Sequence, residues 1–252
     1  MFMKVSHECP INALSEVQKY TDYDYCLLHM LLQDENYKDW FVNKARKEHL
    51  ILDNSAFELG AGLTGDKIVE GYNLIKPEYV VAPDVIKDAE TTIKNFKEFK
   101  EKFGNSVGKI GGVVQGKNDE EFAASLKFMF ENADLVMIPA GIFTTGLNRV
   151  ATIYKNIIEG NWNYDKPVHL LGCKELIEYN YYDAQLCRNI VSTDTSSPTQ
   201  YGLEVGEYPE DLFDYKKRRN MVDYQKVVTK DELETIISNI KRFKTLGRKE
   251  TL

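Results

Sequence analysis

LILDNSAFE, residues 50–58, is the stretch from which the fold can be read. Leu50, Ile51 and Leu52 form an apolar run without alternation, Asp53 ends it, and the small residues Asn54, Ser55 and Ala56 follow. An unbroken apolar run of strand length is the mark of a parallel strand covered on both faces. The same form recurs in YVVAPD (79–84), GGVVQG (111–116) and IVSTDTSSPTQ (190–200), which present Asp84, Gln115 and Asp194. In a barrel of parallel strands, residues at the carboxyl ends of different strands converge on one pocket. Asp53, Asp84, Gln115 and Asp194 are therefore read as one site.

Four further segments complete the set of candidate strands: MKVSH (3–7), YCLLHM (25–30), LVMIP (135–139) and VHLLG (168–172). The other four are bounded at 50–53, 79–83, 109–115 and 189–193. Between them lie stretches of helical period. In DAETTIKNFKEFKEKF (88–103), Ile93, Phe96, Phe99 and Phe103 recur at three and four residues, and NDEEFAASLKFMFENA (118–133) opens on a capping residue with acids in its first turn. Eight strands alternating with helices predict an α/β fold, a TIM-like (β/α)8 barrel, with an open doubly wound sheet as the alternative. No repeat or Pro/Gly/Ser-rich linker divides the sequence, so residues 1–252 are expected to form one domain with a basic C-terminal segment, 216–252, and no zinc subdomain.

The 252 residues are 43% hydrophobic and 28% charged, the balance of a globular protein. The longest apolar run is too short to cross a bilayer, and MFMKVSHECPINA lacks a signal-length apolar core. These features predict no membrane partner and a cytoplasmic protein. Cys9, Cys26, Cys173 and Cys187 are scattered without metal spacing, so no disulfide and no metal site is expected. A net charge of −7 disfavours indiscriminate coating of nucleic acid. The charge is uneven, however. Residues 216–252 hold 11 Lys and Arg against 5 Asp and Glu, a net +6, whereas the preceding residues hold 21 against 34, a net −13. Lys216, Lys217, Arg218 and Arg219, with KRFK at 241–244, form a candidate phosphate-binding patch or simply a solvated helix face.

The chemistry of the strand-end residues narrows the function. Two carboxylates from different strands, Asp53 and Asp194, can serve as nucleophile and general acid/base for glycosyl transfer, although each also reads as an ordinary turn aspartate. Asp84 offers acceptors and Gln115 both donors and acceptors, which together complement a guanine-like edge. Gly141 would let backbone approach the same ligand, and Phe57 and Leu171 are candidate plates above and below a ring or core residues. His7 and His29 fall near strand ends without ligand spacing and are expected to be structural or supporting. No P-loop and no dinucleotide-binding glycine motif is present, and no cofactor is expected.

Taken in order, LDNSAF, VVAPD, GVVQG, PAGI, HLLG and DTSSPT resemble the tRNA-guanine transglycosylase superfamily, in particular the smaller, phage-type relatives that place 7-deazaguanines in DNA. The likeness covers about residues 50–200. It implies a pentosyltransferase in which Asp194 attacks the sugar C1′, Asp53 is the general acid/base, and Asp84, Gln115 and the Gly141 backbone read the base. Phe57 and Leu171 would sandwich the ring, with Gly172 beside it. The implied partners are a polynucleotide, DNA favoured over tRNA, and a free 7-deazaguanine such as preQ0 or preQ1; whether the chain forms a homodimer is left open by the sequence. The chain departs from the family in lacking its zinc-binding cysteines, in Gln200 where arginine is usual, and in Asn54-Ser55-Ala56 and Glu58 where a Gly-rich, Gln-ending loop is usual. Other readings of the same carboxylates are a tRNA-guanine transglycosylase, a barrel enzyme acting on a small glycoside or nucleoside, and a non-catalytic partner subunit.

Overall fold

The computed structural model describes residues 3–173, 175–211 and 222–246. Eight parallel strands are present: β1 (Lys4–His7), β2 (Tyr25–Leu27), β3 (Ile51–Asp53), β4 (Tyr79–Val81), β5 (Lys109–Val113), β6 (Leu135–Pro139), β7 (Val168–Leu171) and β8 (Ile190–Thr195). Their order is β1-β8-β7-β6-β5-β4-β3-β2, with helices or helical turns in the connections, which makes a nearly closed (β/α)8 barrel of the TIM type.

The seam lies between β1 and β2, which share no ladder. Residues just before β2 bridge it. The Asp22 backbone N–H donates to Val5 O at 2.8 Å, the Val5 N–H to Asp22 Oδ2 at 3.0 Å, and the His7 N–H to Thr21 Oγ1 at 3.2 Å. Thr21 Oγ1 in turn donates to Val5 O at 2.8 Å. Side chains thus satisfy backbone groups of β1 that a neighbouring strand would otherwise pair.

The helices follow the sequence closely. Asp88 caps the helix Ala89–Phe103, accepting from the Thr91 N–H at 3.0 Å, and Asn118 caps Asp119–Asn132, accepting from Glu121 at 2.9 Å. Phe96 and Phe99 from the first helix and Phe122, Leu126 and Met129 from the second are buried. A Cβ on Gly112 would lie 2.5 Å from Met129 Sδ and 3.0 Å from Ala133 Cβ, so glycine there lets this helix approach β5 closely.

Two boundaries differ from expectation. The segment 25–30 is not all strand: β2 ends at Leu27, and Leu28–Gln33 is a helix that buries Leu28 and Leu31. Asp194 does not follow its strand but lies within β8, which runs on to Thr195 because β1 pairs with it as far as His7. Among the described residues no helix is long and apolar enough to cross a membrane.

Candidate active site

Asp53 is the last residue of β3, Asp84 and Gln115 lie just beyond β4 and β5, and Asp194 is the penultimate residue of β8. All four stand at the carboxyl end of the barrel. Asp194 Oδ1 accepts from His169 Nε2, 2.9 Å away on β7, and from the Gly172 backbone N–H at 3.1 Å. Its Oδ2 accepts no hydrogen bond from the described residues, which leaves that oxygen for a ligand.

Asp53 is tied differently. Tyr25 donates its hydroxyl to Oδ1 at 2.8 Å, and the Ser55 N–H donates to Oδ2 at 2.7 Å. Ser55 has φ 63, a left-handed backbone for a non-glycine residue, and it turns the chain from β3 into the short helix Ala56–Leu59. That helix carries Phe57 and Glu58. Burial, then the negative charge of Glu58, pushes the Asp53 carboxyl well above the usual carboxylate range, against the two hydrogen bonds. Glu58 itself is pushed up to about 7, chiefly by burial, with the charge of Asp194 adding. Its Oε2 is buried and has no hydrogen-bond partner.

Asp84 and Gln115 form a joined pair. Gln115 Nε2 donates to Asp84 Oδ2 at 2.7 Å, Asn54 Nδ2 donates to Asp84 Oδ1 at 2.8 Å, and Gln115 Oε1 accepts from the Lys87 N–H at 2.8 Å. Each Asp84 oxygen keeps a free lone pair, and Gln115 Nε2 keeps one N–H. Burial raises the Asp84 carboxyl, and the bonds from Asn54 and Gln115 oppose the rise.

Phe57 is not a core residue: it is 66% exposed, and its ring lies 3.8 Å from where a Cβ on Gly141 would sit. An exposed ring beside bare backbone is suited to stacking. Leu171 is half-buried at the end of β7. Gly172 follows with φ +66, and a Cβ there would meet only Ala140 Cβ, at 3.9 Å. Gly172→Ala is therefore expected to cost about 1 kcal/mol, from the left-handed backbone and not from crowding. Chemical denaturation would measure this, and a loss several times larger would mean that the turn has more to support than its own conformation.

His7 stands apart. Both ring nitrogens are buried without partners, the ring meets the edge of Phe243 at 5.5 Å, and burial lowers it to about 3, so it is a neutral packing residue. His29 follows β2, with Nδ1 buried and unpartnered. Lys216, Lys217, Arg218 and Arg219 lie outside the described residues. In KRFK, Arg242 donates to Tyr208 O and Glu210 O, both at 2.7 Å, and Lys244 pairs with Asp22 at 2.5 Å. Those two cations hold the C-terminal helix, Lys230–Leu246, to the barrel and are not spare charges for phosphate.

Several site residues escaped the sequence reading. Glu8, directly after β1, takes the Tyr224 hydroxyl at Oε2, and its carboxyl is raised by burial and by Asp194, Glu58 and Asp53. The strand-end rule applied to MKVSH would have found it. Arg149 and Glu178 form a wholly buried ion pair, and Arg149 also donates to the Leu171 and Gly172 carbonyls at 3.0 and 2.9 Å. Its signal was an arginine among the core positions of Gly146–Ile158, where Gly146, Val150 and Ile153 are buried. His169 was visible as the one polar residue of VHLLG.

No protein-family model matches the chain, and no curated protein matches it.

Proposed function

We propose that the chain is a base-exchange transglycosylase that replaces guanine in a polynucleotide, with DNA favoured, by a 7-deazaguanine. The observation that carries this reading is the division of labour at one barrel end: an anchored carboxylate with one open oxygen, Asp194, and, at the same end, a joined acceptor and donor pair, Asp84 and Gln115. The open lone pairs of Asp84 suit the N1–H and amino group of a guanine-like ring, and the remaining N–H of Gln115 suits its carbonyl. Phe57 offers a face for the ring. The four cysteines are free, three of them buried, and their sequence spacing is not that of the zinc-binding cysteines of the tRNA enzymes in the family that the motifs resemble.

In the proposed reaction Asp194 Oδ2 attacks C1′, the C1′–N9 bond breaks, and the departing guanine takes a proton from the Asp53–Glu58 pair. The incoming base gives its N9 proton back to that pair and attacks C1′, breaking the ester to Asp194. Two displacements give net retention. Two neighbouring carboxyl groups in a buried site ionise apart, so one holds a proton that the other lacks. Because C1′ is enclosed in stacked duplex, the target nucleotide is flipped out or single-stranded.

The test offers labelled guanine or a 7-deazaguanine together with DNA, tRNA or free deoxyguanosine. Label entering DNA supports the reading. Label entering only tRNA moves the substrate, and turnover of the free nucleoside alone replaces the reading by a small-molecule one. The proton role of Glu58 has its own signature. A general acid with a carboxyl near 7 is protonated below that pH and loses its proton above it, so activity is expected to fall on the alkaline side. Glu58→Gln is expected to lower the rate and remove that limb from the kcat profile; an unaltered profile assigns the proton to Asp53 alone.

A further inference from the structure

A line of buried side chains runs through the barrel interior to Asp194. His49 Nε2 is 2.9 Å from Ser192 Oγ, Ser192 Oγ is 2.8 Å from His169 Nδ1, and His169 Nε2 is 2.9 Å from Asp194 Oδ1. None of the four is more than 8% exposed. His49 precedes β3, at the amino-terminal end of the barrel, so the line reaches Asp194 from the end opposite the candidate pocket.

The rings are held as well as bonded. His169 stacks on Tyr25 with centroids 5.9 Å apart and planes 9° from parallel, and Tyr23 sets its edge against His49 at 4.8 Å and His169 at 6.3 Å. His49 has φ 57, a left-handed backbone for a side-chain-bearing residue, and its N–H is tied to Glu78 Oε2 at 2.8 Å. Such backbone persists where the surroundings over-determine it.

The proton inventory follows from two premises, an ionised Asp194 and a neutral His169. An ionised Asp194 can only accept, so His169 carries its proton on Nε2. In the neutral ring Nδ1 is then an acceptor, and the single Ser192 proton must point at it. Ser192 Oγ has only lone pairs left for His49, which must donate from Nε2. Burial, with the lysines Lys4 and Lys109 adding, lowers His49 to about 4, which keeps that ring neutral at pH 7. Every hydrogen on the line is thus fixed by the charge on Asp194 together with the neutrality of His169.

We infer that His49, Ser192 and His169 form a buried positioning relay that pins Oδ1 of Asp194, with the Gly172 N–H as second donor, and leaves Oδ2 as the attacking oxygen. The inference rests on Asp194 being the reacting carboxylate of the proposed transglycosylase. The three relay residues touch no substrate; they act through the orientation of one carboxylate. A nucleophile held by two donors on one oxygen cannot rotate to present the other, and such placement is worth most when reacting atoms must meet within an ångström.

Nitrogen-15 NMR of the histidine rings of the wild-type protein tests the relay without any substrate. The expected spectrum at pH 7 has His169 and His49 both neutral and both protonated at Nε2. Protonation of His169 at Nδ1, or at both nitrogens, overturns the relay as drawn. Kinetics give a second reading. Ser192→Ala removes both central bonds with little change of volume and is expected to reduce kcat by about 10²-fold, the cost of a misplaced reacting group, with KM little changed. His49→Gln keeps an N–H donor toward Ser192 and should recover much of the rate, whereas His49→Leu should not. A Ser192→Ala enzyme with wild-type kcat would also overturn the proposal. Should wild type exchange no base at all, the proposed function fails, and the ring spectrum still decides the relay.

Discussion

Asp194→Asn is expected to abolish base exchange while leaving the protein folded and able to bind the free base. The substitution is nearly isosteric. The amide oxygen can still accept from His169 Nε2 and the Gly172 N–H, so the anchoring at 2.9 and 3.1 Å has a direct replacement. The position of Oδ2 becomes an NH2 group, which has no nucleophilic lone pair for C1′. Incorporation of labelled base into DNA should fall by at least about 10³-fold, as expected when a covalent nucleophile is lost. A base-depleted wild-type reaction should leave a covalent protein–DNA species on a denaturing gel, and the variant should leave none. Asp84 and Gln115 are untouched, so affinity for the free 7-deazaguanine should change little. Incorporation by the variant at the wild-type rate would sink Asp194 as the nucleophile and with it the division of roles between Asp194 and Asp53.

How much of this was legible in the sequence depends on which face of each strand carried the signal. The barrel was legible because most of the strands are apolar runs, and their spacing leaves room for helical segments between them. The placement of Asp53, Asp84, Gln115 and Asp194 at one barrel end was legible only from the four segments together, because each residue alone also reads as a turn or core residue. Phe57 carried no such mark: alone, a phenylalanine reads as core, and only the left-handed turn at Ser55 throws it outward. The polar interior was hidden for a different reason. His49 and Ser192 sit among polar neighbours in KEHLIL and IVSTDT, His169 stands alone in VHLLG, and nothing local tells a buried hydrogen-bonded histidine from an exposed one. Contacts such as His49 with Ser192, 143 positions apart, exist only once the barrel closes.

The largest stability effect is expected at Arg149. All five of its N–H groups are used inside the protein: two on Glu178 at 3.0 and 2.8 Å, two on the carbonyls of Ile138 and Leu171 at 3.2 and 3.0 Å, and one on Gly172 O at 2.9 Å. The guanidinium therefore ties the end of β6 to the end of β7 and to the turn whose N–H holds Asp194. Arg149→Met leaves the Glu178 carboxylate wholly buried without its counter-charge, an error that costs about 3–5 kcal/mol. Total stability of a domain is about 5–15 kcal/mol, so the urea midpoint should drop sharply. Arg149→Lys should recover little, since an ammonium has three donors and no planar fork. Replacing both partners, Arg149→Met with Glu178→Leu, removes the stranded charge and should be less destabilised than Arg149→Met alone, because the desolvation cost of the pair disappears with it. The double variant nevertheless leaves the Leu171 and Gly172 carbonyls without their donor. If stability returns but base exchange does not, Arg149 matters to the chemistry by holding the Gly172 turn against Asp194; if both return, the pair serves the fold alone.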